Sequence, residues 1–127
     1  MKQRTLTAQD YLRRHTSEHR LQASVLRFLE VHAVRNTYVF AIPNEAKRSF
    51  TLAARMKASG LRAGVADLCI MFPEGRVAWL ELKTLKGRQT PEQKNFEEVC
   101  DVLGHRYGLA HSLDEAIDIL KRWGALK

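Results

Sequence analysis

Long hydrophobic runs are absent from this 127-residue chain, and its start shows no secretory signal pattern, so a soluble, cytoplasmic protein without a membrane span is expected. Cysteine is scarce. Cys69 and Cys100 are the only two, both at positions expected to face a core, which favours buried reduced thiols over a disulfide or a zinc site. The histidines, His15, His19, His32, His105 and His111, lack the spacing that would join them to a nucleophile or to a zinc ligand set. No repeat or low-complexity tract interrupts the sequence. Negative charge is also in short supply: 14 Asp and Glu stand against 21 Lys and Arg, a formal net charge of +7. Much of the acid falls late, at Glu97, Glu98, Asp101, Asp114, Glu115 and Asp118, so the positive excess is concentrated in the earlier part of the chain. The length leaves room for one modest core and no second domain. The expected organisation is a basic, polar arm over 1–15, a folded domain over 16–124 and a tail over 125–127.

What is present reads as alternating helices and strands. Thr16 or Ser17 can cap a helix in which Leu21, Val25, Phe28, Leu29 and His32 recur at helical spacing. Glu18 and Gln22, one turn apart, form the polar end of that inward stripe. Glu18 there also suits the positive helix N-terminus without any further role. Tyr38 to Ile42 is a short strand stopped by Pro43, and a helix over Thr51 to Ser59 ends at Gly60. Thr90-Pro91-Glu92-Gln93 supplies a cap, a proline at the first helical position and a capping-box Gln. The helix it opens carries Phe96, Val99, Cys100 and Leu103 on its core stripe and ends at Gly104. A last strand at Arg106 to Ala110 leads into a second capping box, Ser112-Leu113-Asp114-Glu115, and a helix with Ala116, Ile117 and Leu120 inside. The order α, β, basic helix, β, β, α, β, α fits one α/β domain with a mixed central sheet flanked by helices.

Between the basic helix and the capped one, Val65 to Phe72 and Val77 to Lys83 are apolar, partly β-branched runs separated by Pro73-Glu74-Gly75, which reads as a β-hairpin. Strand alternation puts Glu81 and Lys83 on one face. With a three-residue loop in which Gly75 takes the left-handed conformation, counting back along the ladder sets Asp67 opposite Glu81. Opposed side chains come within roughly 5 Å, close enough for one cation to bridge two carboxylates that would otherwise repel. A glutamate two residues before a lysine on a strand is a weak signal by itself, because charges often alternate outward. Here Cys69 and Met71 follow Asp67, and Val77 and Trp79 precede Glu81, so these charges sit on strands expected to be covered and need partners or a metal. Lys47, Arg48, Arg55, Lys57, Arg62, Lys86, Arg88 and Lys94 flank the pair in sequence. A basic neighbourhood of this kind binds a polyanion through its phosphates.

Glu18 with Gln22, Gly64-Val65-Ala66-Asp67, Glu81-Leu82-Lys83 and Thr90-Pro91-Glu92-Gln93, in that order, resemble the virus-type replication-repair nuclease (VRR-NUC) domain of the PD-(D/E)xK superfamily. The likeness covers roughly Ser17 to Leu120, with Ala66 where the family commonly has proline. It implies a restriction-endonuclease-like αβββαβ core in which Asp67 and Glu81 ligate the metal, Lys83 is catalytic, Glu18 and Gln93 complete the site and Gln22 supports it. The expected reaction is hydrolysis of a DNA phosphodiester by a Mg²⁺-dependent endonuclease, with Mn²⁺ able to substitute and no organic cofactor. The ion would bind Asp67, Glu81, the Leu82 carbonyl and, through water, Glu18. Lys83 would orient the attacking water and stabilise phosphate charge, and Gln93 would position the lysine or the water. The resemblance further implies stand-alone phage, viral or bacterial members that act as homodimers on branched DNA, like Holliday junction resolvases, in a bacterium or a virus-infected host cell. Phe50, Leu52 and Met56 are interface residues in that reading and ordinary core in another. Two alternatives remain at this stage: a catalytically inactive nucleic-acid-binding module on the same fold, and a structural protein in which Asp67, Glu81 and Lys83 form a buried ion network.

Overall fold

Alternation in the two central strands decides which side of the sheet becomes the core. β2 (Leu68–Phe72) and β3 (Arg76–Leu82) pair antiparallel, so Leu68, Ile70 and Phe72 share one face with Ala78, Leu80 and Leu82, and all six are buried. α1 (Ala8–His32) and α4 (Leu113–Arg122) close that face with Val25 and Leu29 from one helix and Ala116, Ile119 and Leu120 from the other. Each larger aliphatic side chain contributes about 1.5–3 kcal/mol on burial. The computed structural model describes residues 8–43 and 50–127. Among them the sheet runs β1-β2-β3-β4, with β1 (Tyr38–Ala41) antiparallel to β2 and β4 (Arg106–Ala110) parallel to β3. It is the expected mixed sheet.

The opposite face is covered in part, by α3 (Pro91–Leu103). Phe96 meets Trp79 edge-on with ring centroids 5.3 Å apart and lies 6.1 Å from Tyr107, and Cys100 is buried beside them. The other expected members of the α3 stripe, Val99 and Leu103, are 43% and 67% exposed, because the sheet reaches only the Phe96 and Cys100 side of the helix. Met71 is 46% exposed for a similar reason: it lies toward the β1 edge, beside the exposed Tyr38 and Phe40. Cys69 and Cys100 are free and buried, as expected, and burial pushes both thiols up.

Three boundaries differ from the sequence reading. α1 starts at Ala8, and passes Thr16 and Ser17 without interruption, since residues 8–17 contain neither Gly nor Pro to break it. The expected division between an arm and a domain at 15/16 therefore falls inside a helix. The tail over 125–127 is tied down: Ala125 is fully buried, its carbonyl accepts from the Val34 N–H, and Lys127 N–H donates to the His32 carbonyl. At α4, Ser112 Oγ caps the Glu115 N–H, but the Glu115 carboxylate reaches back to the His111 N–H at 2.6 Å, so the reciprocal bond of the expected box lands one residue earlier. Ile117 is half-buried where Ile119 is buried. α2 (Phe50–Ala58) forms as expected and Gly60, at φ 98°, follows it. None of the described helices is long and apolar enough to cross a membrane.

Candidate active site

The hairpin closes through Pro73–Gly75, with Glu74 as well as Gly75 in the left-handed region. This three-residue connection fixes the register Phe72↔Arg76 through Leu68↔Leu80. One step further back, Asp67 stands opposite Glu81, ahead of the start of β2. Its carbonyl accepts from the Ile42 N–H at 2.8 Å, and its Oδ2 accepts from the Leu82 N–H at 2.8 Å. The carboxylate thus takes over a donor that the next backbone rung of the ladder would have used, which holds Asp67 between the ends of β1 and β3.

Glu81 is 2% exposed. Its Oε1 accepts from Gln93 Nε2 at 3.2 Å and lies 3.9 Å from Lys83 Nζ, while its Oε2 is buried with no donor. The Asp67 carboxyl is within hydrogen-bonding reach of Glu81, but it offers a bond only when one of the two acids keeps a proton. Burial first, and then the Asp67 charge, push the Glu81 carboxyl up to about 9, with Glu18 adding to the shift and Lys83 opposing it. Burial raises Asp67 as well, against the Leu82 N–H, the shared proton with Glu81 and the Lys83 charge. Near neutral pH the pair therefore holds a proton or a cation. A divalent metal fits it: the donors are hard oxygens, they adjoin one another, and the orphaned Oε2 is a buried acceptor in want of a partner. Among the described residues no group of three or more His, Cys, Asp or Glu side chains forms a ligand cluster, so the acidic core of the site is this pair.

A cleft of about 460 Å³ opens beside Asp67, lined by Glu18, His19 and Gln22 of α1 and by Ala41, Ile42 and Pro43 at the end of β1. A second cleft, about 400 Å³, is lined by Lys94, Glu97, Glu98, Asp101, His105 and Tyr107 and contains neither member of the pair. A family model for the VRR-NUC domain matches residues 4–114. The chain belongs to the VRR-NUC family. Membership gives this VRR-NUC chain a nuclease role and a nucleic-acid substrate. Solved structures similar to it include two VRR-NUC examples. One, a VRR-NUC domain protein, superposes with a TM-score of 0.70 at 22% identity, covering 84% of this chain and 87% of that one. The other, a VRR-NUC domain, gives 0.59 at 17% identity, covering 84% and 97%. At these identities the likeness establishes the fold. Comparison with curated protein sequences gives no match.

The VRR-NUC fold brings Asp67, Glu81, Lys83 and Gln93 together, with Leu82 contributing its N–H to Asp67. Glu18 and Gln22 reach the same cleft from α1. Gln93, expected to position the lysine or the water, donates its amide to Glu81. Of the basic residues, Arg55 and Lys57 lie on α2, Arg62 follows it, and Lys86 and Arg88 lie in the loop between β3 and α3; all are exposed. Lys47 and Arg48 lie outside the described residues. Leu52 is 49% exposed and Met56 half-buried, whereas the Phe50 side chain is outside those described. Sequence reasoning missed His19, Ile42 and Pro43 as cleft walls and Gly64 as a contact of α3. The spacing of His19 and Gln22, three apart on one helix, carries a signal for the first. Gly64, three residues before Asp67, carries one for the last.

Proposed function

We propose that this chain is a Mg²⁺-dependent DNA endonuclease, with Mn²⁺ able to substitute, that cuts branched DNA as a homodimer in the manner of a Holliday junction resolvase. The observation that carries the metal reading is Glu81: a buried carboxylate with one oxygen pinned by Gln93 and the other without a donor, set beside the half-buried Asp67. Asp67 and Glu81 would hold the ion with their carboxylates, with the Leu82 carbonyl as a further oxygen and Glu18 reaching it through water. When bound, the ion supplies water activation and charge neutralisation at the scissile phosphate. Lys83, held two residues from Glu81 on the same strand face, orients the attacking water and donates to the phosphate oxygens as their charge grows. Lys47, Arg48, Arg55, Lys57, Arg62, Lys86 and Arg88 contact phosphates away from the cut. A domain of this size has limited surface for two DNA arms, which supports a twofold dimer.

Labelled single-stranded, duplex, flap and four-way-junction DNAs incubated with Mg²⁺ or Mn²⁺ test this reading. Paired, symmetric nicks confined to the junction are expected. Equal cleavage of plain duplex would remove the branch selectivity, and binding without any cleavage would favour an inert module.

A further inference from the structure

Gln93 has an acceptor end and a donor end, and the start of α3 decides which faces the acids. Its Oε1 accepts from the Thr90 N–H at 2.8 Å, a bond that only the oxygen can make, so the amide nitrogen is the end that reaches Glu81 Oε1 at 3.2 Å. Thr90 Oγ1 completes the box by accepting from the Gln93 N–H at 3.2 Å. Gln93 thus pins one oxygen of Glu81 and leaves the other for the ion. This holds only if the first turn of α3 lies close against the segment leading to Asp67. Gly64 sits at that contact, at φ 87°, where an added Cβ would run into the Glu92 carbonyl and come within 2.7 Å of the Gln93 nitrogen.

We propose that Gly64 is a positioning residue of the active site: its missing side chain lets the α3 N-terminus seat against the Asp67 segment, and the capping box then delivers the Gln93 amide to Glu81 as a donor. The expected effect on rate rests on the metal-nuclease reading. The geometry is testable without it.

Gly60 provides the control, since it too has a positive φ, 98°, but nothing within 4 Å of an added Cβ. Gly60→Ala therefore carries backbone strain without a collision, and Gly64→Ala carries both. Gly64→Ala is expected to lower kcat on junction DNA by at least about tenfold, because small misplacements at a reacting centre are costly, with KM unchanged. Gly60→Ala is expected to keep kcat. Independently of cleavage, NMR hydrogen exchange of the Gln93 side-chain amide should be slow in the parent protein and in Gly60→Ala, and fast in Gly64→Ala. If Gly64→Ala does not fold, the pair Thr90→Val and Thr90→Ser decides: the valine removes the cap acceptor and should lower kcat by about threefold with faster amide exchange, and the serine should restore both. Parent-like kcat and slow exchange in Gly64→Ala, equal losses in Gly60→Ala, or identical behaviour of the two Thr90 variants would overturn the proposal. If the parent protein cuts none of the DNAs, the nuclease reading fails, and the exchange data alone judge the positioning.

Discussion

The carboxylate end of the sheet and the basic helix α2 solve opposite physical problems. At the first, Asp67 is bonded from both sides by Ile42 and Leu82, and Glu81 is 2% exposed and held by Gln93, so each group occupies one arrangement before any ligand arrives. Along α2, Arg55 and Lys57 are exposed and Leu52 is half in solvent. Chemistry depends on charges already held in place, where the loss of one group is not compensated by its neighbours. Phosphate contact depends on the sum of many exposed cations, each contributing a little and each screened by salt.

The largest effects should therefore come from the Asp67 and Glu81 pair. Asp67→Asn and Glu81→Gln, each removing a charge proposed to ligate the metal, are expected to abolish cleavage while DNA binding stays intact or tightens slightly through reduced phosphate repulsion. Parent-level turnover by either purified variant would break the distinction between the two regions. Lys83→Ala comes next. It should slow single-turnover cleavage by at least about a hundredfold, roughly 3 kcal/mol, with little loss of metal affinity by calorimetry, since its proposed work lies in the transition state. A matching loss of metal binding would make Lys83 a structural partner of Glu81, which lies 3.9 Å away.

Effects at the basic segment should be smaller per residue and additive. Replacing Lys47, Arg48, Arg55 and Lys57 with alanine is expected to weaken DNA binding and flatten its salt dependence by about one log-log unit for each lost phosphate contact, while cleavage at saturating DNA survives. Unchanged affinity and slope would turn this face away from the substrate. A separate effect is on stability. In the metal-free protein Glu81 holds its proton to about pH 9, whereas the unfolded chain releases it near the ordinary value of 4.5, so the folded state binds more protons between those limits. Stability contributed by that proton is complete below pH 4.5 and is lost as pH rises toward 9. Glu81→Gln should make this decline shallower in denaturant melts across that window, and an unchanged slope would mean that Glu81 is not the proton holder.

How much of this was legible in the residues depended on whether the controlling interaction was local. The Asp67–Glu81 opposition followed from a three-residue loop and the two-residue period of strands, and both hold in the structure. The Thr90–Gln93 box was legible for the same reason, being contained in four consecutive residues. The start of α1 at Ala8 was not, because Thr16 and Ser17 are good caps that a helix can also run through. Nor was the exposure of Val99, Leu103 and Met71, which depends on how far the sheet and α3 overlap rather than on periodicity. The donor role of Gln93 emerged only when the Thr90 N–H claimed its oxygen, and the Gly64 contact joins segments nearly thirty residues apart.

Calorimetric titration of Mg²⁺ and Mn²⁺ into the metal-free protein, in buffers of different ionisation enthalpy, tests the central claim most directly. Binding coupled to proton release is expected near neutral pH, because Glu81 must give up the proton it holds, with loss of both binding and release in the Asp67→Asn, Glu81→Gln double variant. Binding of equal affinity in the double variant, or binding without proton release in the parent, would contradict it.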